Sequence, residues 1–341
     1  MQRLRGGDAQ TIYNETPTSP FVTLKTMIYE PVDPAKPVSA EDLENFICQG
    51  IAGWVRKGLG LRILRVPFDL HHPVWVEDSS FCLDDHIHHI ALPRPGDQQS
   101  LCNFISYVMG MPLDPTRPLW DSWIVEGLEG GRIAWVCKMH HVLGDGLMSA
   151  GHIEDIHHQH DGGQVAPFAS PPRMPSLAGT AIMSSKWQLI LGAVKDLARG
   201  YTLEFPRYYR EFRQAKAARN KEPVEGAYGA MMAPYTFINQ SGGPYRIYRY
   251  ETFSLEEFKA LSRRLDCTIN DLVLGLCSEA LRRYIIEIEP LPATPLVVVM
   301  PVGSRGDDVH PKFLNTEIMN NSVSIAFVPL DLQIESFTER L

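Results

Sequence analysis

The chain has 341 residues, 44% of them hydrophobic, and sets 32 basic against 40 acidic side chains for a net charge of −8. That length exceeds one average domain and suits two with a connector, while the acidic balance excludes the basic footprint of a nucleic-acid-binding protein. The six cysteines (Cys48, Cys82, Cys102, Cys137, Cys267 and Cys277) form no CxxC pair, which argues against a disulfide framework or zinc ribbon and for a reducing cytosol.

The N-terminal MQRLRGGDAQ carries no apolar signal stretch, and no run approaches the ~18 apolar residues of a membrane span. Residues 1–160 read as mixed helix and strand: a helix near 40–56, a strand-like VPFDLHHPVWVED (66–78) and a helix near 97–112. LWDSWIVEGLEGGRIAWVCKMHH holds two β-rich runs around a turn at Gly130 and Gly131, a hairpin that ends in histidines. Pro and Gly crowd 161–175, which marks a connector; with the helical segment after it the connector runs over 161–235. Trp187, Ile190, Leu191, Val194, Leu197, Ala198 and Tyr201 fall on one apolar helical stripe, with Lys186, Lys195, Asp196 and Arg199 off it.

From 236 to 341 a second mixed region follows. Ser254 with Glu257 and Thr268 with Asp271 have capping-box spacing for helices near 255–265 and from 268. In the latter helix Ile269, Leu272, Val273, Leu276, Ala280, Leu281, Tyr284 and Ile285 form the expected core face. LVVVMP (296–301) and SVSIAFVP (322–329) read as strands.

The chemistry concentrates in His140-His141-Val142-Leu143-Gly144-Asp145-Gly146, where the hairpin's second strand runs out. Neighbouring strand residues point to opposite faces, so one histidine meets a substrate and the other is structural. His141 stands at HxxxD spacing from Asp145 and is the candidate general base, able to take a proton from an attacking hydroxyl. Asp145 suits an ion pair that fixes the turn, and Gly144 and Gly146 allow backbone angles or close approach. The alternative is a core histidine pair in a tight turn. His86, His88 and His89, or His152, His157, His158 and His160, lack the Cys or spaced carboxylate of a metal site, so no metal is expected. The basic stretch from Arg207 to Lys221 reads as a solvated helix or as a contact with anionic lipid headgroups.

The heptapeptide and its surroundings resemble the bacterial wax ester synthase/diacylglycerol acyltransferase family, of the superfamily that includes chloramphenicol acetyltransferase and condensation domains. Five ordered elements carry the resemblance: Asp8 with Glu15, the segment 73–96, PLDPTRPLW running into the histidine motif (112–146), TINDLVLGLCSEALRRYI (268–285) and NNSVSIAFVPL (320–330). Two positions depart from it: Asn320 stands where the family usually has Gly, and Ala233-Pro234-Tyr235-Thr236 replaces its Ala-Pro-Arg-Thr.

The resemblance implies an α/β (α+β) fold of two chloramphenicol-acetyltransferase-like domains with the active site at their interface. The second is expected to be incomplete at Leu341, where family members continue. It implies transfer of a long acyl group from acyl-CoA, a co-substrate and not a cofactor, to a fatty alcohol or diacylglycerol. The protein is expected in the cytoplasm, peripheral on the inner membrane face or a lipid droplet. Supporting residues are Glu15, Pro118, Leu119, Trp120, Asn270, Asp271 and Asn321; for Pro-Leu-Trp a core-packing role is favoured, and for Asp271 helix capping suffices. Two rivals remain, a different acceptor within the superfamily and an inactive lipid- or partner-binding fragment.

Overall fold

Ile133–His140 is apolar at nearly every position, and the computed structural model buries the whole segment at the centre of a sheet. The structure describes residues 2–33, 35–52, 54–55, 58–144, 151, 153–154, 156–157, 186–199, 209–210, 213, 233–240, 242–303 and 323–340. Asp145, Gly146, Asn321, most of the 161–235 connector and all of the basic stretch except Tyr209, Arg210 and Arg213 lie outside these residues.

The chain divides into two compact units: Met1–Ala215 with Gly242–Tyr248 and Gly306–Ser322, and Lys216–Ser241 with Arg249–Arg305 and Val323–Leu341. The first holds strands β1 (Gln2–Arg3), β2 (Val22–Tyr29), β3 (Leu61–Leu64), β4 (Val74–Glu77), β5 (Ile87–Ala91), β6 (Trp120–Glu126) and β7 (Ile133–His140). Its helices are α1 (Gly6–Asn14), α2 (Ala40–Ala52), α3 (Gln98–Gly110) and α4 (Lys186–Arg199). The main sheet runs β2-β7-β6-β5, antiparallel except for the parallel β5–β6 pair, and β1-β4-β3 forms a second, antiparallel sheet.

The β6–β7 hairpin turns at Glu129–Gly131, at the expected glycine pair, where Gly130 and Gly131 take φ of 73° and 71°, left-handed angles that glycine adopts without a Cβ penalty. At Gly96 the need is spatial as well: a Cβ there would lie 1.8 Å from the Gly127 carbonyl oxygen. The long strand expected over 66–78 is a strand only at Val74–Glu77. Pro67 lacks an N–H to pair, and Phe68 and Asp69 have positive φ, so the chain makes a 3-10 turn over Pro67–Asp69 instead.

The core lies between this sheet and α2 and centres on Trp120, Trp135, Ile124, Ile133, Ile47 and Leu59. Each tryptophan resolves its own polar atom. Trp120 Nε1 donates to the Leu59 carbonyl at 2.7 Å and Trp135 Nε1 to Ser122 Oγ at 2.6 Å.

The second unit contains α5 (Leu255–Leu265), α6 (Ile269–Ile286), the antiparallel pair β8 (Leu296–Gly303) and β9 (Val323–Leu330), and α7 (Phe337–Arg340). Ser254 caps α5, and Thr268 and Asp271 form the expected capping box of α6. The buried line of α6 is Leu272, Gly275, Ser278 and Ile285, whereas Ile269, Val273, Leu276 and Tyr284 are exposed. The expected core face is therefore wider than the part covered, because the cluster around Ile285 and Leu330 meets the helix along one narrow side.

Trp120→Phe keeps most of the buried ring but leaves the Leu59 carbonyl without its donor. It is expected to lower the unfolding free energy by about 1–3 kcal/mol, read as a shift in the urea midpoint.

Candidate active site

Strand alternation assigns Val136, Lys138 and His140 to one face of β7 and Trp135, Cys137 and Met139 to the other. The second face is apolar and bounds a cavity of about 20 Å³ with Trp120, Ile153 and Ile156. That is room for about one water-sized sphere.

On the first face, Lys138 is fully buried, and its ammonium donates to the Val108 carbonyl at 2.7 Å and to the Met111 carbonyl. These acceptors stand at the C-terminal end of α3, where free carbonyls and the negative end of the helix dipole favour a cation. Burial lowers the Lys138 pKa to about 8, against the opposing influence of Asp121 and Glu15. The sequence reading missed this residue; its signal is a lone cation inside an otherwise apolar strand, which has to find partners.

His140 closes the strand. Its N–H donates to the Leu119 carbonyl at 3.0 Å, and its Nδ1 accepts from the Val142 N–H at 3.0 Å. Because Nδ1 accepts, the neutral ring carries its proton on Nε2. Nε2 is buried, faces Glu15 Oε2 at 3.5 Å, and makes no hydrogen bond there. Burial, and then the neighbouring His141, push the His140 pKa down to about 4, so the ring is neutral at pH 7. Glu15 follows the end of α1; its pKa is raised by burial and moderated by the Phe21 N–H and by Lys138.

His141 opens a 3-10 turn, His141–Leu143, and is more accessible than His140. Its N–H donates to the Phe21 carbonyl at 2.8 Å, and the Phe21 ring meets the imidazole edge-on at 6.4 Å between centroids. Phe21 thus touches both Glu15 and His141. α1 packs against this turn, and Asp8 is buried within α1.

The structure accordingly brings Glu15, His140, His141 and Leu119 together. Pro118, Leu119 and Trp120 are buried; Leu119 holds the His140 N–H, and Trp120 stacks on His86 at 4.6 Å. Asn270 and Asp271 belong to the second unit. Asp271 accepts from the Thr268 N–H and hydroxyl at 2.9 and 2.7 Å, bonds that hold its pKa down. Asn270 Nδ2 lies 3.5 Å from Met300 Sδ on β8. Among the described residues no cluster of three or more His, Cys, Asp or Glu is placed to hold a metal ion.

The profile of the wax ester synthase/diacylglycerol acyltransferase catalytic domain matches residues 4–273. A Mycobacterium tuberculosis protein named for diacylglycerol O-acyltransferase activity is 31% identical over 362 aligned positions, covering 100% of this chain and 70% of the relative. The Acinetobacter baylyi O-acyltransferase WSD is 32% identical over 241 positions, 69% of this chain and 50% of that protein. Among solved structures, the wax ester synthase/diacylglycerol acyltransferase of Marinobacter aquaeolei superposes with a TM-score of 0.60 at 22% identity, covering 99% of this chain and 69% of the other. The first condensation domain of the calcium-dependent antibiotic synthetase gives 0.53 at 15% identity, covering 99% and 72%. These superpositions establish the mixed α/β fold of the condensation-domain type.

The depressed His140 pKa has a signed consequence. Between its ordinary value of 6.5 and about 4, the unfolded chain binds a proton at this residue that the folded chain refuses. Stability is therefore lost as pH falls through that window, by up to about 3 kcal/mol. The raised Glu15 pKa acts in the opposite sense, so the two are separated by mutation. His140→Asn is expected to flatten the fall in urea midpoint between pH 7 and pH 4.5, and an unchanged slope would remove His140 as its source.

Proposed function

This chain belongs to the wax ester synthase/diacylglycerol acyltransferase family, and we propose that it transfers a long acyl group from acyl-CoA to the hydroxyl of diacylglycerol or a fatty alcohol. The products are triacylglycerol or wax ester and free CoA. The observation that carries the assignment of roles is the unequal environment of the two histidines. His140 is buried, spends Nδ1 on the Val142 N–H and resists protonation, whereas His141 is the accessible imidazole at the strand end.

His141 is the general base. Its imidazole takes the acceptor's hydroxyl proton as the oxygen bonds to the thioester carbonyl carbon. When the intermediate collapses, the carbon–sulfur bond breaks and the imidazolium returns the proton to the CoA thiolate. The exchange balances without a protein nucleophile, metal or redox partner. Glu15 and the Phe21 backbone position the histidine pair.

Both acceptors are water-insoluble, so the protein works at the surface of a membrane or lipid droplet. Among the described residues no helix is long and apolar enough to cross a membrane, which suits peripheral contact.

The test is release of CoA thiol over a panel of diacylglycerol, long-chain alcohol and amine acceptors, with products separated by chromatography. His141→Ala is expected to lower turnover by about 10²–10⁴ with acyl-CoA affinity retained. A folded His141→Ala protein with parental thiol release, or an acyl group trapped on a side chain, would sink the mechanism. Transfer only to amines would replace the acceptor class, and no thiol release from the parent would favour a binding module.

A further inference from the structure

Helix α4 has two apolar faces of very different fate. Leu189 and Ala193 are buried, and Asp196 is drawn to Arg3 at 2.6 Å, while Arg3 also donates to the His72 carbonyl at 2.7 Å. The helix is therefore pinned by its inner side. On the outer side Trp187, Leu191 and Val194 are 74%, 68% and 54% exposed. Those positions follow one another at four- and three-residue steps and so form one stripe.

A second exposed apolar element lies beside the helix. α4 lies beside the Pro67–Asp69 turn, in which Phe68 takes φ of 60° and stands 89% exposed. A bulky aromatic in the left-handed region is strained, and here no burial of its ring compensates. Two independent elements thus present large apolar side chains outward on the same unit.

Charge selects the occupant. The chain as a whole is at −8, yet the stripe is flanked by Lys186 and Lys195, one on each side by helical angle, and the helix's acid, Asp196, sits on the opposite side, half-exposed and paired with Arg3. An exposed tryptophan-leucine-valine stripe between lysines has the pattern of a helix lying in a lipid–water interface. The apolar side chains enter the acyl boundary and the lysines reach anionic headgroups. We propose that α4 and Phe68 form the surface by which this protein docks on an anionic lipid interface. The choice of lipid over protein as occupant rests in part on the lipid-directed activity proposed above; the surface itself does not.

The experiment uses the full chain and vesicles of phosphatidylcholine with or without phosphatidylglycerol, in co-sedimentation, with no substrate present. Trp187 is the exposed tryptophan among the described residues, so acrylamide quenching of the parent is expected to fall when anionic vesicles are added. Trp187→Ser with Leu191→Ser should reduce vesicle partitioning at least tenfold, with the thermal midpoint unchanged because neither residue is buried. Phe68→Ser alone should reduce it several-fold. Lys186→Gln with Lys195→Gln should weaken binding to anionic vesicles and lessen its salt dependence while leaving zwitterionic vesicles unaffected. Parental partitioning in the apolar variants overturns the proposal. So does a self-associated parent that becomes monomeric in the variants without any vesicle binding, since the stripe would then join two copies. Thiol release from a dispersed, soluble alcohol is measured in parallel. Vesicle binding without transfer would refute the proposed activity and leave the docking surface standing, and transfer without vesicle binding would do the reverse.

Discussion

Complete burial of β7 is the constraint from which the rest of the site follows. A strand covered on both faces and paired on both edges leaves water no access, so a polar atom it carries either finds a partner inside the protein or, like His140 Nε2, lacks one at a cost in stability. Two residues on its first face carry such atoms. Lys138 finds carbonyls at the end of α3, fixing where that helix stops relative to the strand. His140 finds the Val142 N–H, which folds the chain back on itself and starts the 3-10 turn that presents His141. A cation buried in an apolar strand and a histidine that never charges at neutral pH are both costly, and the cost is limited only because the geometry around them is closely specified.

That geometry divides the labour between adjacent identical side chains. Continuous β-structure would separate His140 and His141 only by face. The change to a 3-10 turn at His141 adds a difference in depth, while both backbone N–H groups remain held, one by Leu119 and one by Phe21. Phe21 is central here because its N–H moderates Glu15, its carbonyl holds His141 and its ring abuts the imidazole. A displacement of the β2 entry would therefore be felt at Glu15 and at His141 together.

Much of this was legible in the sequence because the signals were local. The glycine pair, the alternating runs around it, and the Thr268–Asp271 box each depend on neighbours within a few positions, and each appears in the structure. What was not legible depended on distant partners. Glu15 and His140 are far apart in sequence, and no periodicity relates them. The parallel pairing of β5 with β6 likewise joins segments separated by a helix. Lys138 left a local trace, a charge in an apolar strand, but its partners at the end of α3 did not. Periodicity identifies an apolar face without telling whether anything covers it. In α4 the stripe is turned outward, and in α6 a broad stripe is covered along one line only.

The contrast between those two helices bears on how an exposed apolar face should be weighed. α6 belongs to a unit whose described core is the small cluster around Ile285, Leu330 and Leu332, so partly uncovered apolar positions there follow from a shortage of neighbours. α4 belongs to the unit with the larger core, which buries Leu189 and Ala193 and ties down Asp196. Neighbours are available to it, and the helix is held in an orientation that keeps Trp187 and Leu191 away from them. Had coverage been the only demand, rotating the helix would have exchanged two small contacts for larger ones, at about 25 cal/mol for each Å² of apolar surface removed from water. The half-exposed Arg3–Asp196 pair adds only about 0–1 kcal/mol against that rotation, so the packing of Leu189 and Ala193 is what sets the orientation. An apolar face held toward solvent has a physical purpose if the face meets an apolar phase, and a water-insoluble substrate supplies one.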